Sequence, residues 1–250
     1  MRYTLRTIGD HVWLAGPLAV CLSATVLVAH LTQRPVSVPG VIVLFFGVIA
    51  AYALDHWVDQ PPGHRSPNLL GLVIIATCTV IVTSLGLPFW KFLLTLSLGI
   101  AGLAYRRCKK WPLGKTFLVA LGWTAAAVAY PVQWGAQDLF LAPFASILLA
   151  LFAANALLCD LKDVQADARA GVPTAVVLWG RKRAILAAIS LALVGLVVAL
   201  ATRRIGLACA CLAMITLAAF PQIISRPVLG PALADAALLL PAVLILAGWA

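Results

Sequence analysis

Five of the eight acids in this chain, all of them aspartates, sit in two short stretches. Residues 160–167 read DLKDVQAD and place Asp160, Asp163 and Asp167 at helical spacing; residues 55–59 read DHWVD and place Asp55 and Asp59 four apart. Side chains three and four apart share one face of an α-helix, so each set aims its carboxylates in one direction. Crowded carboxylates at the end of a membrane helix repel one another and are costly to desolvate, so a positive charge belongs between them. With no His or Cys at ligand spacing, oxygen donors favour a hard divalent ion. Mg2+ suits them, taking one or two carboxylates and completing its shell with water and phosphate oxygens. A diphosphate is the natural substrate of such a site.

The nearby cations suit the same chemistry. Residues 105–115, YRRCKKWPLGK, carry five of them, and Arg65, Lys162 and Arg169 flank the acids themselves. Metal and cations together would hold an anionic leaving group. A second reading is purely topological, cations that keep loops on one side of a membrane; for Arg106, Arg107, Lys109 or Lys110 taken singly the two readings weigh equally. For the aspartates the alternative is a solvated loop with surface ion pairs, which two clusters in so acid-poor a chain argue against. His56 and His64 read as interfacial residues rather than a base. Asn155 lies two helical turns before Asp163, on a similar face, and is placed to line a cavity, although polar residues within spans commonly bond a neighbouring helix.

The elements that carry these residues are membrane helices. A mean hydropathy of +1.05 with 10% charged residues puts the chain in the polytopic membrane class. Apolar runs long enough for a hydrocarbon core of roughly 30 Å occur at 13–31, 38–56, 68–87, 89–105, 116–134, 139–159, 183–201, 205–223 and 231–249. This predicts an all-α bundle of about nine transmembrane helices, with Pro88, Pro221, Pro231 and Pro241 able to kink or end three of them. The first run follows Arg2 and Arg6 but lacks a cleavage site, so it reads as a retained helix. With the N-terminus in the cytoplasm, fourteen of the eighteen cations fall inside and Arg34, Lys91, Arg203 and Arg204 outside. Both acid clusters then face the cytoplasm. The net charge of +10 is this topological bias plus attraction to lipid headgroups, and gives a nucleic-acid partner no support.

Further residues add little chemistry. The six cysteines lie largely within spans, without a CxxC pair, and read as apolar filler. Trp13, Trp57, Trp90, Trp111, Trp134, Trp179 and Trp249 fall near span ends as an interfacial belt, while Trp123, inside a span, reads as packing. Asp55 to Asp163 and Asp59 to Asp167 are each 108 residues apart, an internal echo that suggests two helices meeting across a cavity.

Residues 159–180, CDLKDVQADARAGVPTAVVLWG, resemble the second aspartate-rich motif of the UbiA superfamily of intramembrane prenyltransferases, with Asp163 and Asp167 followed by Gly171, Thr174 and Gly180. AYALDHWVD, residues 51–59, resembles the first motif, NDxxDxxxD, with Ala51 and Tyr52 in place of Asn-Asp. Tyr105 followed by Lys109 and Lys110 is similar to the Tyr-to-Lys stretch after the fourth helix. Asp160 stands where relatives often carry Asn. The resemblance extends over essentially the whole chain and implies one domain, residues 1–250, a bundle around a central cavity open laterally to lipid and capped on the cytoplasmic side.

What the resemblance implies is Mg2+-dependent transfer of a prenyl group from a polyisoprenyl diphosphate to an aromatic, quinone-precursor or lipid acceptor, in the inner or cell membrane. Asp55 and Asp59 would hold one Mg2+, Asp163 and Asp167 another. Lys109, Lys110 and Arg65 would neutralise the leaving group, with Tyr105, Lys162, Arg169 and Asn155 contacting substrate. Asp160 has two open roles, metal ligand or acceptor positioning. One competing function is a terpene cyclase on the same scaffold, needing no acceptor. A transporter is the other, disfavoured because both clusters sit at span ends with no comparable acid at mid-depth.

Overall fold

The computed structural model describes residues 14–61, 63–134 and 142–249. Arg2, Arg6, Trp13 and Pro62 lie outside them, as does the start of the sixth apolar run and the side chain of Arg106. Each of the nine runs coincides with a helix: α1 Ala15–Thr32, α2 Val38–Asp59, α3 Pro67–Ser84, α4 Phe89–Cys108, α5 Gly114–Ala129, α6 Ala142–Arg169, α8 Arg181–Ala201, α9 Ile205–Ala218 and α11 Leu229–Leu246. Two short helices complete the order, α7 Ala175–Trp179 and α10 Pro221–Ile224. No strand occurs among the described residues, only a bridge between Val36 and Val132. The protein is an all-α bundle. Six helices, α1, α2, α3, α6, α8 and α11, are long and apolar enough to cross a membrane; α4, α5 and α9 are apolar but shorter.

Local chemistry sets the helix ends. Ser37 caps α2 by accepting the Gly40 amide at 3.3 Å, and Pro39 sits in the first turn, where its missing N–H costs nothing. Pro67 opens α3 in the same way. Pro88 precedes α4, Pro221 separates α9 from α10, and Pro231 falls in the first turn of α11. Pro241 alone is accommodated inside a helix.

The sixth run extends ten residues beyond its expected apolar end, so the whole DLKDVQAD segment is helical. Its end is a Schellman turn: the Val172 amide reaches Asp167 O at 2.9 Å and the Gly171 amide reaches Ala168 O at 3.2 Å. Gly171 adopts φ +66°, a left-handed conformation that glycine takes without penalty. Val172 is buried behind it.

Packing makes α6 the axis of the molecule. Two thirds of its spanning window, 67%, is buried against 11% for α3, so α6 is central and α3 faces outward. α6 packs against α5, α8 and α11, and α11 returns to α1. The small residues Ala184, Ala188, Ala192, Gly195 and Ala199 form one buried face of α8, which lets helices approach closely where lipid supplies no hydrophobic drive. α2 packs on α3 and touches α1 and α5. It is not a principal packing partner of α6, the other acid-bearing helix. At the far end of the bundle Lys91 is buried, its Nζ donating to Val132 O at 2.6 Å, which pins α4 to the segment following α5.

Candidate active site

Asp55 and Asp59 close α2 on one face. Lys109, at the C-terminal end of α4, places its Nζ 3.9 Å from Asp55 Oδ1 and 3.7 Å from Asp59 Oδ1. Both carboxylates stay open, with side chains 50% and 60% exposed. The ammonium also lies 5.5 Å from the centre of the Tyr105 ring, one turn earlier on α4.

On α6 the acids are held more tightly. Asp160 is 3% exposed. Lys115 Nζ sits 2.9 Å from Asp160 Oδ1 and 3.1 Å from Asp167 Oδ2, and the Thr116 hydroxyl donates to Asp160 Oδ2 at 3.4 Å. Asp163 turns instead to Lys162, 2.8 Å away. Lys115 occupies the first turn of α5, where the helix dipole disfavours a cation. Two carboxylates outweigh that cost. The loop before it is fixed by the Leu113 amide, which donates to Pro173 O at 3.1 Å and so ties the turn after α4 to the turn after α6.

Tyr105 links the two clusters, since its hydroxyl is within electrostatic reach of Asp55, Asp160 and Asp167 together with Lys115. Lys115 acts on Asp55 as well. Lys109 thus gathers Asp55 and Asp59, Lys115 gathers Asp160 and Asp167, and Asp163 keeps to Lys162. Other expected residues are placed differently. Arg65 stacks over Trp57 at 4.6 Å and donates to Gln60 O at 3.5 Å. Lys110 is exposed and pairs with no acid among the described residues. Arg169, also exposed, donates to Gln165 O of its own helix at 3.1 Å. Asn155 donates to Asp235 Oδ1 at 3.2 Å.

Two residues escaped the sequence reading. Lys115 was counted in its loop but not singled out; its place at the start of an apolar run, and hence at a membrane edge, was the signal. Asp235, the seventh residue of α11, bears on the expectation that no comparable acid lies at mid-depth. A lone carboxylate in an apolar helix was itself a functional flag.

Among the described residues no three His, Cys, Asp or Glu side chains converge to hold a metal. The donors are carboxylate pairs, oxygen only, each already balanced by an ammonium. Such pairs suit a hard cation that uses one or two carboxylates and finishes its shell on phosphate oxygens and water. They do not suit a zinc-type cage. A separate cavity of about 570 Å³ opens on another face of α6, lined by Leu161, Lys162, Gln165, Gly180, Arg181 and Ser225.

No protein-family model matches the sequence, and no curated protein matches it. Among solved structures, the chain is similar to the apo structure of a UbiA homologue from Aeropyrum pernix K1, with a TM-score of 0.68 at 16% identity over 93% of this chain and 98% of that one. With nine apolar helices in order, and aspartates closing the second and sixth, the chain has the fold of that UbiA homologue.

Proposed function

We propose that this protein is a UbiA-type intramembrane prenyltransferase, moving a prenyl group from a polyisoprenyl diphosphate to a hydrophobic aromatic, quinone-precursor or lipid acceptor. The observation that carries the reading is the pairing of two carboxylate sets, on α2 and α6, with Lys109 and Lys115 at one end of a UbiA-like bundle. The acid end faces the cytoplasm in this reading, following the distribution of lysine and arginine.

Asp55 and Asp59 would hold one Mg2+ and Asp163 and Asp167 a second, with Asp160 supporting the latter set. Bound there, Mg2+ supplies Lewis-acid stabilisation of the departing diphosphate. The chain's own groups do the remainder. Lys109 and Lys115 neutralise carboxylates in the resting site and are positioned to turn toward the diphosphate as its charge develops. Tyr105, at the junction of both sets, contacts the donor head.

The test is diphosphate release from purified protein in lipid nanodiscs with geranylgeranyl diphosphate, Mg2+ or EDTA, with and without an aromatic acceptor mixture, and products identified by mass spectrometry. Release that needs both metal and acceptor is the expected result. Asp163→Ala and Asp167→Ala should each abolish turnover in a folded, detergent-stable protein, and full activity in either would sink the two-metal assignment. Tyr52 in place of the first motif's Asp favours one second reading, a cyclase, which would release diphosphate without acceptor and yield a cyclic hydrocarbon.

A further inference from the structure

Below the carboxylate site lies a second polar layer that the donor chemistry does not use. Asp235 on α11 accepts the Asn155 amide of α6 at 3.2 Å through Oδ1. Its Oδ2 makes no hydrogen bond among the described residues, and it rests against Gly16 in the first turn of α1, where any Cβ would overlap it. Cys159 Sγ contacts Asn155 Oδ1 at 3.4 Å. Tyr52 of α2 and Trp123 of α5 pack against one buried cluster that includes Cys21, Val48 and Ala129, and Tyr52 lies within electrostatic range of Asp235. Trp123 in turn stacks on Phe152 of α6, ring centres 5.5 Å apart and planes 25° off parallel.

Depth and charge give this layer a meaning. Helical rise puts Tyr52 about 4.5 Å below Asp55, and Asn155 about 7.5 Å below Asp160, measured along the helix axes. A diphosphate anchored at the aspartates would hang C1 of its chain at this level. Asp235, Asn155, Tyr52, Trp123 and Cys159 all keep partial exposure, so the layer is not sealed. Among the described residues no cation pairs with this carboxylate, and an amide and an aromatic ring stand near it on α6 and α5.

Resting on the transferase reading, we infer that Asp235, Asn155, Tyr52 and Trp123 form the acceptor subsite, that it takes a neutral hydroxyl-bearing aromatic acceptor, and that Asp235 accepts the acceptor's proton. A carboxylated acceptor would bring a second anion against Asp235 in a low-dielectric layer, and is rejected. The hydroxyl donates to Asp235 Oδ2 while the ring stacks on Trp123. As the donor's C1–O bond breaks, its electron pair leaves on the diphosphate. The acceptor oxygen, or the ring carbon conjugated to it, supplies the pair that bonds to C1, and the hydroxyl proton passes to Asp235. In the ring case the carbon's own proton afterwards returns to the oxygen.

The experiment compares wild type with Asp235→Asn in nanodiscs, using geranylgeranyl diphosphate, Mg2+, and either hydroquinone or 4-hydroxybenzoate. Wild type should favour hydroquinone. Loss of a positioned base should lower prenylated hydroquinone by about a hundredfold or more in kcat, shifting product toward free prenol, while the relative rate with 4-hydroxybenzoate rises. Hydroquinone binding to donor-free protein, followed by equilibrium dialysis, should be lost in Asp235→Asn and kept in Asp163→Ala. Preference of wild type for 4-hydroxybenzoate, transfer by Asp235→Asn within threefold of wild type, or no hydroquinone binding by wild type overturns the subsite. Binding with this pattern but no diphosphate release overturns the transferase reading and leaves the subsite standing.

Discussion

Lys115 is the residue whose removal says most about the site. Asp160 has only 5% of its side chain exposed and Asp167 13%, and one ammonium serves both. Deleting one member of a buried ion pair strands the other's charge, at a cost of about 3 kcal/mol. Lys115→Met should therefore lower the thermal unfolding midpoint in detergent and abolish turnover. Added Mg2+ should raise that midpoint more in the variant than in wild type, because in the proposed mechanism the stranded carboxylates would hold the metal. An equal Mg2+ response in both would argue that the ion does not bind there. Lys109→Met makes the contrast, since Asp55 and Asp59 are half exposed and solvent screens their pairing. Its unfolding midpoint should stay near wild type while activity falls.

At the scale of the element, the Schellman turn ending α6 aims the acid motif. Gly171→Ala puts a Cβ into a left-handed conformation, costing about 1–2 kcal/mol, at the point where the chain turns to bring Pro173 beneath Leu113. The expected outcome is a measurable drop in the unfolding midpoint and a rise in donor KM, read by denaturation and kinetics on the same preparation; Gly171→Asn should recover part of both. Lys91 performs a comparable task at the opposite end. Its Nζ satisfies Val132 O between α4 and the segment after α5. Lys91→Met leaves that carbonyl unpaired, a penalty of about 1–3 kcal/mol, and should destabilise without altering donor KM. A changed KM would show that the two ends of the bundle are coupled.

For the molecule as a whole, the lipid-facing surface is testable through cysteine. Cys78 is exposed in the middle of α3, whereas Cys21 and Cys211 are buried under neighbouring helices. In membranes a lipid-soluble maleimide should label Cys78, and a sulfonated, membrane-impermeant reagent should not. Labelling by the charged reagent would place α3 against water instead of lipid. The exposed apolar side chains of α3, α4 and α8, such as Ile75, Val82, Leu103 and Val197, continue the same outer surface. In a soluble protein so large an apolar surface would signal a partner, and here the bilayer is that partner.

The amino-acid sequence by itself determined the helices and the acids. Apolar runs of spanning length have one low-energy state in lipid, because every backbone polar group must be satisfied within its own segment, so each of the nine runs carries a helix among the described residues, six of them long enough to cross a membrane. Carboxylates four apart necessarily share a face, and Asp55 with Asp59 duly share Lys109. Partnership across helices was not legible, because it depends on how spans rotate and pack, and small residues leave many packings open. Only the tertiary structure decided that Lys115, not Lys110, sits between Asp160 and Asp167. It alone brought Asp235 to Asn155, residues eighty positions apart that meet because α11 packs against α6.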